Sequence, residues 1–159
     1  GSEPALKALT LLTAKPKFYL LNGKPADVPE KLTAQIKSEG SDYVVADLST
    51  GGGVAEVITK AYAILGLISF FTTGEDETRA WTIVKGDKAP QAAGVIHTDF
   101  EKKFIRADVV HYDDFVKCGS PSQGSGSSSW ATARQKGLLR TEGKESVVKD
   151  GDIMEIKHS

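Results

Sequence analysis

The sequence predicts an α/β segment followed by a smaller α+β module. Residues 17–65 alternate short apolar runs with helical spacing, the signature of βαβ units and a parallel sheet. Beyond Phe70 the order changes to strand, helix, strand and then late short strands, the order of a small α+β sheet with one crossing helix. A chain of 159 residues suffices for one ordinary domain or two small ones.

The elements follow in order. Gly1-Ser2 reads as a cloning remnant. Residues Glu3 to Ala14 carry Leu6, Leu9 and Leu12 and predict a helix. Lys17 to Leu21 is an apolar run between Pro16 and Asn22-Gly23, a buried strand. Asp27 stands three residues before Glu30, which predicts a capping box opening a helix, with Pro29 tolerated in its first turn. Val28, Leu32 and Ile36 define its buried face, and Gly40 ends it. Tyr43 to Leu48 predicts the second strand. After Ser49-Thr50-Gly51-Gly52-Gly53 a second helix places Val54, Ile58, Ala61 and Leu65 on one stripe. Two strands and two helices cannot cover a parallel sheet by themselves, so a further part is expected upstream.

In the second half, Ala80 to Val84 predicts a strand and Lys85-Gly86-Asp87 a turn. Pro90 opens a helix that sets Ala93, Ile96, Phe100 and Phe104 on one face. Ile105 to His111 predicts a strand. Gly119 to Ser129 reads as a mobile Gly/Ser loop and Trp130 to Lys136 as a short helix. Ser146 to Val148 and Ile153 to Ile156 predict two strands around the Asp150-Gly151 turn.

The formal net charge of -1 gives no global attraction for nucleic acid or an anionic membrane, so any such contact needs a local patch. The longest apolar run, Ala61 to Phe71, is broken by Gly66 and Ser69 and falls short of the ~20 residues that span a bilayer. Cys118 is the only cysteine, so an internal disulfide is impossible and a reducing compartment, the cytoplasm, is expected.

A phosphate-binding loop needs Gly-x-x-x-x-Gly-Lys followed by Ser or Thr between a strand and a helix. The nearest stretch, Gly137 to Glu145, has five residues between its glycines and Glu145 after Lys144, and strands follow it. The chain is therefore expected not to hydrolyse a nucleotide by itself. Gly51 to Gly53 is either a turn into a helix or an anion site at its amino end. His97-Thr98-Asp99 are consecutive on a predicted helix and cannot form a triad, so His97 is expected at the surface or as a cap. His111 with Asp113-Asp114 offers too few ligands for a metal. Arg134, Lys136, Arg140, Lys144 and Lys149, set against Glu142 and Glu145, form either a solvated face or a nucleic-acid contact.

Several runs resemble a known family. Phe71 to Ile83 (FTTGEDETRAWTI) resembles the junction into the last domain of YchF-type (Obg-like) P-loop ATPases. The likeness continues through Ala89 to Lys102 (APQAAGVIHTDFEK), Tyr112 to Phe115 (YDDF), Glu142 to Lys144 (EGK) and Val148 to Ile153 (VKDGDI). Upstream, Leu11 to Pro16 (LLTAKP) and Tyr19 to Asn22 (YLLN) resemble the strand leading into the family's base-recognition motif, Asn-x-x-Glu. Asn22 and Gly23 match its first positions; Pro25 stands where the motif has Glu. The resemblance implies that residues 3–68 are the carboxy-terminal part of a P-loop nucleotide-binding domain and residues 69–159 a TGS domain, a β-grasp (ubiquitin-like) module. It implies a parent enzyme that hydrolyses ATP or GTP with Mg²⁺, a ribosome or RNA partner, and nucleotide contact through Asn22 and Gly23. The fragment itself is expected to hold no catalytic residue, cofactor or metal and to contact no membrane. Arg134, Lys136, Arg140 and Lys144 are the candidate RNA or ribosome contacts. The departures from the family's pattern, Pro25 and the Gly119 to Ser129 stretch, imply a divergent branch and the mitochondrial matrix as the alternative compartment. The alternative function is a stand-alone ubiquitin-like adaptor that binds protein.

Overall fold

The computed structural model describes residues 15–74, 77–119 and 126–159, with side chains from 129 in the last stretch. The predicted helix at Glu3 to Ala14 lies outside the described residues. So does most of the predicted Gly119 to Ser129 loop. The chain divides into two compact units, one ending at Leu65 and one running from Gly66 to Ser159.

In the first unit, β1 (Phe18–Asn22) lies parallel to β2 (Asp42–Ala46), in register from Phe18 opposite Asp42 to Asn22 opposite Ala46. Helix α1 (Glu30–Ser38) makes the crossover between them. Its amino end differs from the capping box expected: Asp27 closes a short 3₁₀ turn, Pro25–Asp27, and Pro29 is the cap residue, with no side-chain bond. The cause is local. Proline disfavours the helical region for the residue before it, so Val28 stays extended and the helix starts after Pro29. Gly40 ends α1 as expected, at φ 69°. Its N–H donates to Lys37 and the Ser41 N–H donates to Ile36, a pair of bonds that satisfies the last carbonyls.

Helix α2 (Val54–Leu65) follows β2. Among the described residues of this unit, Ile36, Val44 and Ala46 are the buried apolar ones. The predicted α2 stripe is not buried. Ile58 is 53% exposed and Leu65 61%, and Val54, Leu32, Leu20 and Leu48 are exposed as well. Half-buried Val57, Ala61 and Ile64 mark the face that is turned inward. Helical periodicity located an apolar stripe, and three of its four residues, Val54, Ile58 and Leu65, stay exposed.

The second unit is a five-stranded mixed sheet in the order β4-β3-β7-β5-β6. Its strands are β3 (Leu67–Thr73), β4 (Thr78–Val84), β5 (Phe104–His111), β6 (Arg140–Glu142) and β7 (Asp152–His158). The pairs β3–β4, β5–β6 and β5–β7 are antiparallel, while β3 and β7 are parallel, with Phe71 opposite Ile153. Helices α3 (Ala89–Ile96) and α4 (Thr98–Lys102) follow β4. Helices α5 (Tyr112–Cys118) and α6 (Gly126–Gln135) lie between β5 and β6.

Alternation along β5 builds two apolar clusters. Ala107 and Val109 join Phe70, Ile83, Ala92, Ala93 and Met154 in the main core. Val110 belongs to a second cluster with Cys118 and Ala133, sealed by Phe115 and Trp130 with rings 5.2 Å apart and edge-on.

Several predicted elements change here. The helix expected across Pro90 to Phe104 breaks at His97, which is extended at φ -159° and ψ 137°, and Phe104 begins β5 instead. Ser146 to Val148 forms an isolated bridge with Lys88 and no strand. Its backbone instead pins the start of α3, through Ala89 N–H to Ser146 and Val148 N–H to Asp87. Strand β3 and the three-residue β6 are additions. Helix α6 starts earlier than Trp130.

Candidate nucleotide and RNA contacts

Asn22 ends β1 and is exposed. Its Oδ1 accepts the Leu48 N–H at 3.1 Å, and the Gly23 N–H donates to the Ala46 carbonyl at 3.1 Å. Both bonds tie the end of β1 to the loop after β2. Gly23 takes φ 151°, and Pro25 opens the adjoining 3₁₀ turn.

That loop holds itself together. Asp47 Oδ1 accepts the Ser49 N–H at 3.1 Å and the Ser49 hydroxyl at 2.5 Å. The Ser49 hydroxyl bond, aided by backbone bonds, holds the Asp47 carboxyl below the usual carboxylate range. Thr50 Oγ1 accepts the Gly52 N–H at 3.3 Å. Gly53 passes so close to β2 that an added Cβ would stand 2.7 Å from the Ala46 Cβ. The third glycine therefore serves close packing of α2 onto β2, while the Gly52 N–H is already engaged by a side chain.

The basic stretch is not one surface of equivalent cations. Arg140 bonds the buried Asp152 at 2.8 Å and approaches Glu142 at 3.3 Å. Arg134 reaches the buried Asp108 at 3.7 Å, and Thr141 donates to the same carboxylate. The two arginines thus neutralise the sheet's two buried acids. Lys136 and Lys144 are exposed. Nearby, Glu145 takes the Lys88 ammonium at 2.5 Å; this bond holds the Glu145 carboxyl below its ordinary range.

The two histidines singled out by sequence both act as helix caps. His97 Nδ1 accepts the Asp99 N–H at 3.2 Å and His111 Nδ1 accepts the Asp113 N–H at 3.4 Å. Asp114 pairs with Lys117 at 3.4 Å. Cys118 is buried in the second apolar cluster. Among the described residues, no three His, Cys, Asp or Glu side chains are grouped closely enough to hold a metal ion, and no helix is long and apolar enough to cross a membrane. Sequence reasoning missed Phe100 and His158 as partners. Their rings stack at 4.3 Å because pairing of β5 with β7 brings His158 opposite Phe104. The separation of 58 positions along the chain leaves no local signal for it.

The YchF-GTPase_C family, described as a protein of unknown function (DUF933), matches residues 67–159. The ribosome-binding ATPase YchF of Bacillus subtilis (strain 168) is 35% identical, over 98% of this chain and 48% of its own length. Obg-like ATPase 1 of Homo sapiens is 43% identical, over 80% of this chain and 30% of its own. The structure of the Schizosaccharomyces pombe YchF GTPase superimposes with a TM-score of 0.77 at 34% identity, covering 97% of this chain and 46% of that one. A GTP binding protein from Pyrococcus horikoshii OT3 shares the fold at a TM-score of 0.57 and 18% identity. The chain spans about half the length of the curated bacterial relatives it matches. Its mixed α/β fold is that of YchF GTPase structures, and the chain belongs to the YchF-GTPase_C family.

Proposed function

We propose that this chain is the carboxy-terminal part of a translation-associated P-loop nucleotide hydrolase. Residues 3–68 complete its nucleotide-binding domain, and residues 69–159 are a TGS module that contacts ribosome or RNA. The apolar surface of the first unit carries this reading. Among the described residues, a two-stranded parallel sheet with Val54, Ile58 and Leu65 exposed beside it lacks the cover that parallel sheets require. The rest of that nucleotide-binding domain, in the other half of the parent, supplies that cover. Among relatives, the name ribosome-binding ATPase belongs to proteins about twice as long as this chain. The second unit supports the β-grasp assignment through its topology: a hairpin, a crossing helix and a last strand laid parallel beside the first.

The residues here do not fit a complete nucleotide site. The sequence has no phosphate loop, and the described residues offer no metal cluster. Asn22 and Gly23 are the chain's contribution to base contact, with Asn22 Oδ1 already accepting the Leu48 N–H. No hydrolytic step is assigned to these residues. Two measurements test the reading. The chain should pellet with ribosomes in sedimentation, and it should release no phosphate from ATP or GTP unless the upstream half is joined to it. Turnover by the 159-residue chain, or absence of ribosome pelleting, would overturn the reading.

A further inference from the structure

We propose that an open cavity between α3, α4 and the end of β7 binds one unpaired RNA nucleotide, stacking its base on His158 and holding its phosphate at Lys103 and His97. This rests on the RNA-contact reading above and places that contact away from the Arg134–Lys144 stretch. The cavity, of about 540 Å³, is lined by Ile96, His97, Asp99, Phe100, Lys103 and His158, with Ser159 at its edge. That volume is in the range of small-ligand sites.

The site is built from the core outward. Phe100 and Ile96 pack against the main cluster. His158 stacks on Phe100 with ring centroids 4.3 Å apart and planes 20° apart. His97 meets the same ring at 5.6 Å, tilted 51°. Its backbone paired to β5, and the Ser159 N–H bonded to the Lys103 carbonyl at 3.3 Å, His158 is held in place by the sheet. One face of the exposed His158 ring is covered by Phe100, which leaves the other for a planar ligand.

The polar groups select the ligand. With Nδ1 facing the Asp99 N–H, Nε2 is the His97 nitrogen left to bond a ligand. Lys103 adds a cation at the surface. A base on an aromatic ring with a phosphate on adjacent donors is the pattern of single-strand recognition. A duplex hides the faces of its bases, so paired RNA cannot use the stack. Asp99 also lines the cavity, so Lys103 is the lining cation left to meet a phosphate. In contrast, Arg134 and Arg140 are occupied by Asp108 and Asp152.

The test uses the full chain and a short labelled oligoadenylate RNA, read by fluorescence anisotropy. His158→Ala should weaken binding about tenfold, the typical effect of removing one stacking partner. Lys103→Glu should weaken it too, whereas His158→Tyr, which keeps an aromatic face, should bind as the parent does. Unchanged binding by His158→Ala overturns the site and leaves the RNA reading intact. So does ribosome pelleting by a chain that does not bind the oligonucleotide. Equal affinity for the same strand in a duplex, or AMP binding as tightly as the oligonucleotide, overturns the assignment to unpaired RNA. A chain that neither pellets nor binds removes the RNA reading and this site together.

Discussion

Replacing Arg140 by methionine isolates the ion pair that the second unit depends on. Asp152 is 3% exposed, and its two carboxylate oxygens accept from Arg140 at 2.8 Å and from the Lys149 N–H at 3.0 Å. At 2.8 Å and an effective dielectric of about 20 the gross attraction is about 6 kcal/mol. Desolvation of the carboxylate offsets much of that. Removing one partner of a fully buried pair costs about 3–5 kcal/mol. The Arg140 side chain is 38% exposed, so water screens part of the pair and the expected loss falls to about 2–3 kcal/mol. Methionine keeps much of the arginine's aliphatic packing and removes only the fork of donors. Urea unfolding followed by tryptophan fluorescence reads the second unit alone, because both tryptophans, Trp81 and Trp130, lie in it. The double-mutant cycle with Asp152→Asn should give a coupling of about 1.5–3 kcal/mol. A coupling below about 0.5 kcal/mol would refute the claim that Arg140 is a structural cation.

Three further outcomes are expected. Gly53→Ala places a Cβ 2.7 Å from Ala46 Cβ and 2.9 Å from its Cα, at φ 83°; it should destabilise the first unit by about 2–4 kcal/mol, seen as faster amide exchange at Val44 and Val45. The Lys60 ammonium bonds Asp42 and holds its carboxyl below the ordinary range, with the Tyr43 N–H assisting. Because the folded carboxyl titrates below its unfolded value, the contribution of this bond is complete above about pH 4 and is lost as pH falls through the folded value. Lys60→Met should therefore raise the Asp42 carboxyl midpoint in an NMR titration, and an unmoved midpoint contradicts the pairing. Ile58→Lys, at a 53% exposed position, should shift the stability of this chain by less than about 0.5 kcal/mol while weakening capture of the upstream half supplied in trans, as measured by pull-down.

Local chemistry made much of the fold legible. The breakers Pro16 and Gly23 bracket β1, and Gly40 and Gly151 stand at turns with positive φ. The β5 pattern and the opening of α3 near Pro90 also follow from neighbouring residues. The misses have equally local causes. Leu67 to Thr73 is a mostly apolar run directly after a helix, and periodicity alone does not separate a buried strand from a helix tail. His97 caps the next helix, as its surface or capping assignment expected, but the helix predicted to run through it stops there, because the extended backbone that permits the capping bond depends on the fold. Arg140 and Arg134 looked like free cations because their acids lie in other strands.

Sequence by itself determined that this chain lacks a phosphate loop, that its two halves differ in architecture, and that its runs match one family. Those are properties of residue order, and order survives without coordinates. Only the tertiary structure decided which apolar stripe was covered and which charges were engaged. The stripe on α2 has the right period yet stays exposed at Val54, Ile58 and Leu65, so periodicity could say that it wants burial and not where the burial comes from. The pairing of His158 with Phe100, and of Arg140 with Asp152, arises when β7 slots between β3 and β5. Burial and electrostatics depend on through-space distance, and one late strand sets those distances for residues that the sequence leaves far apart.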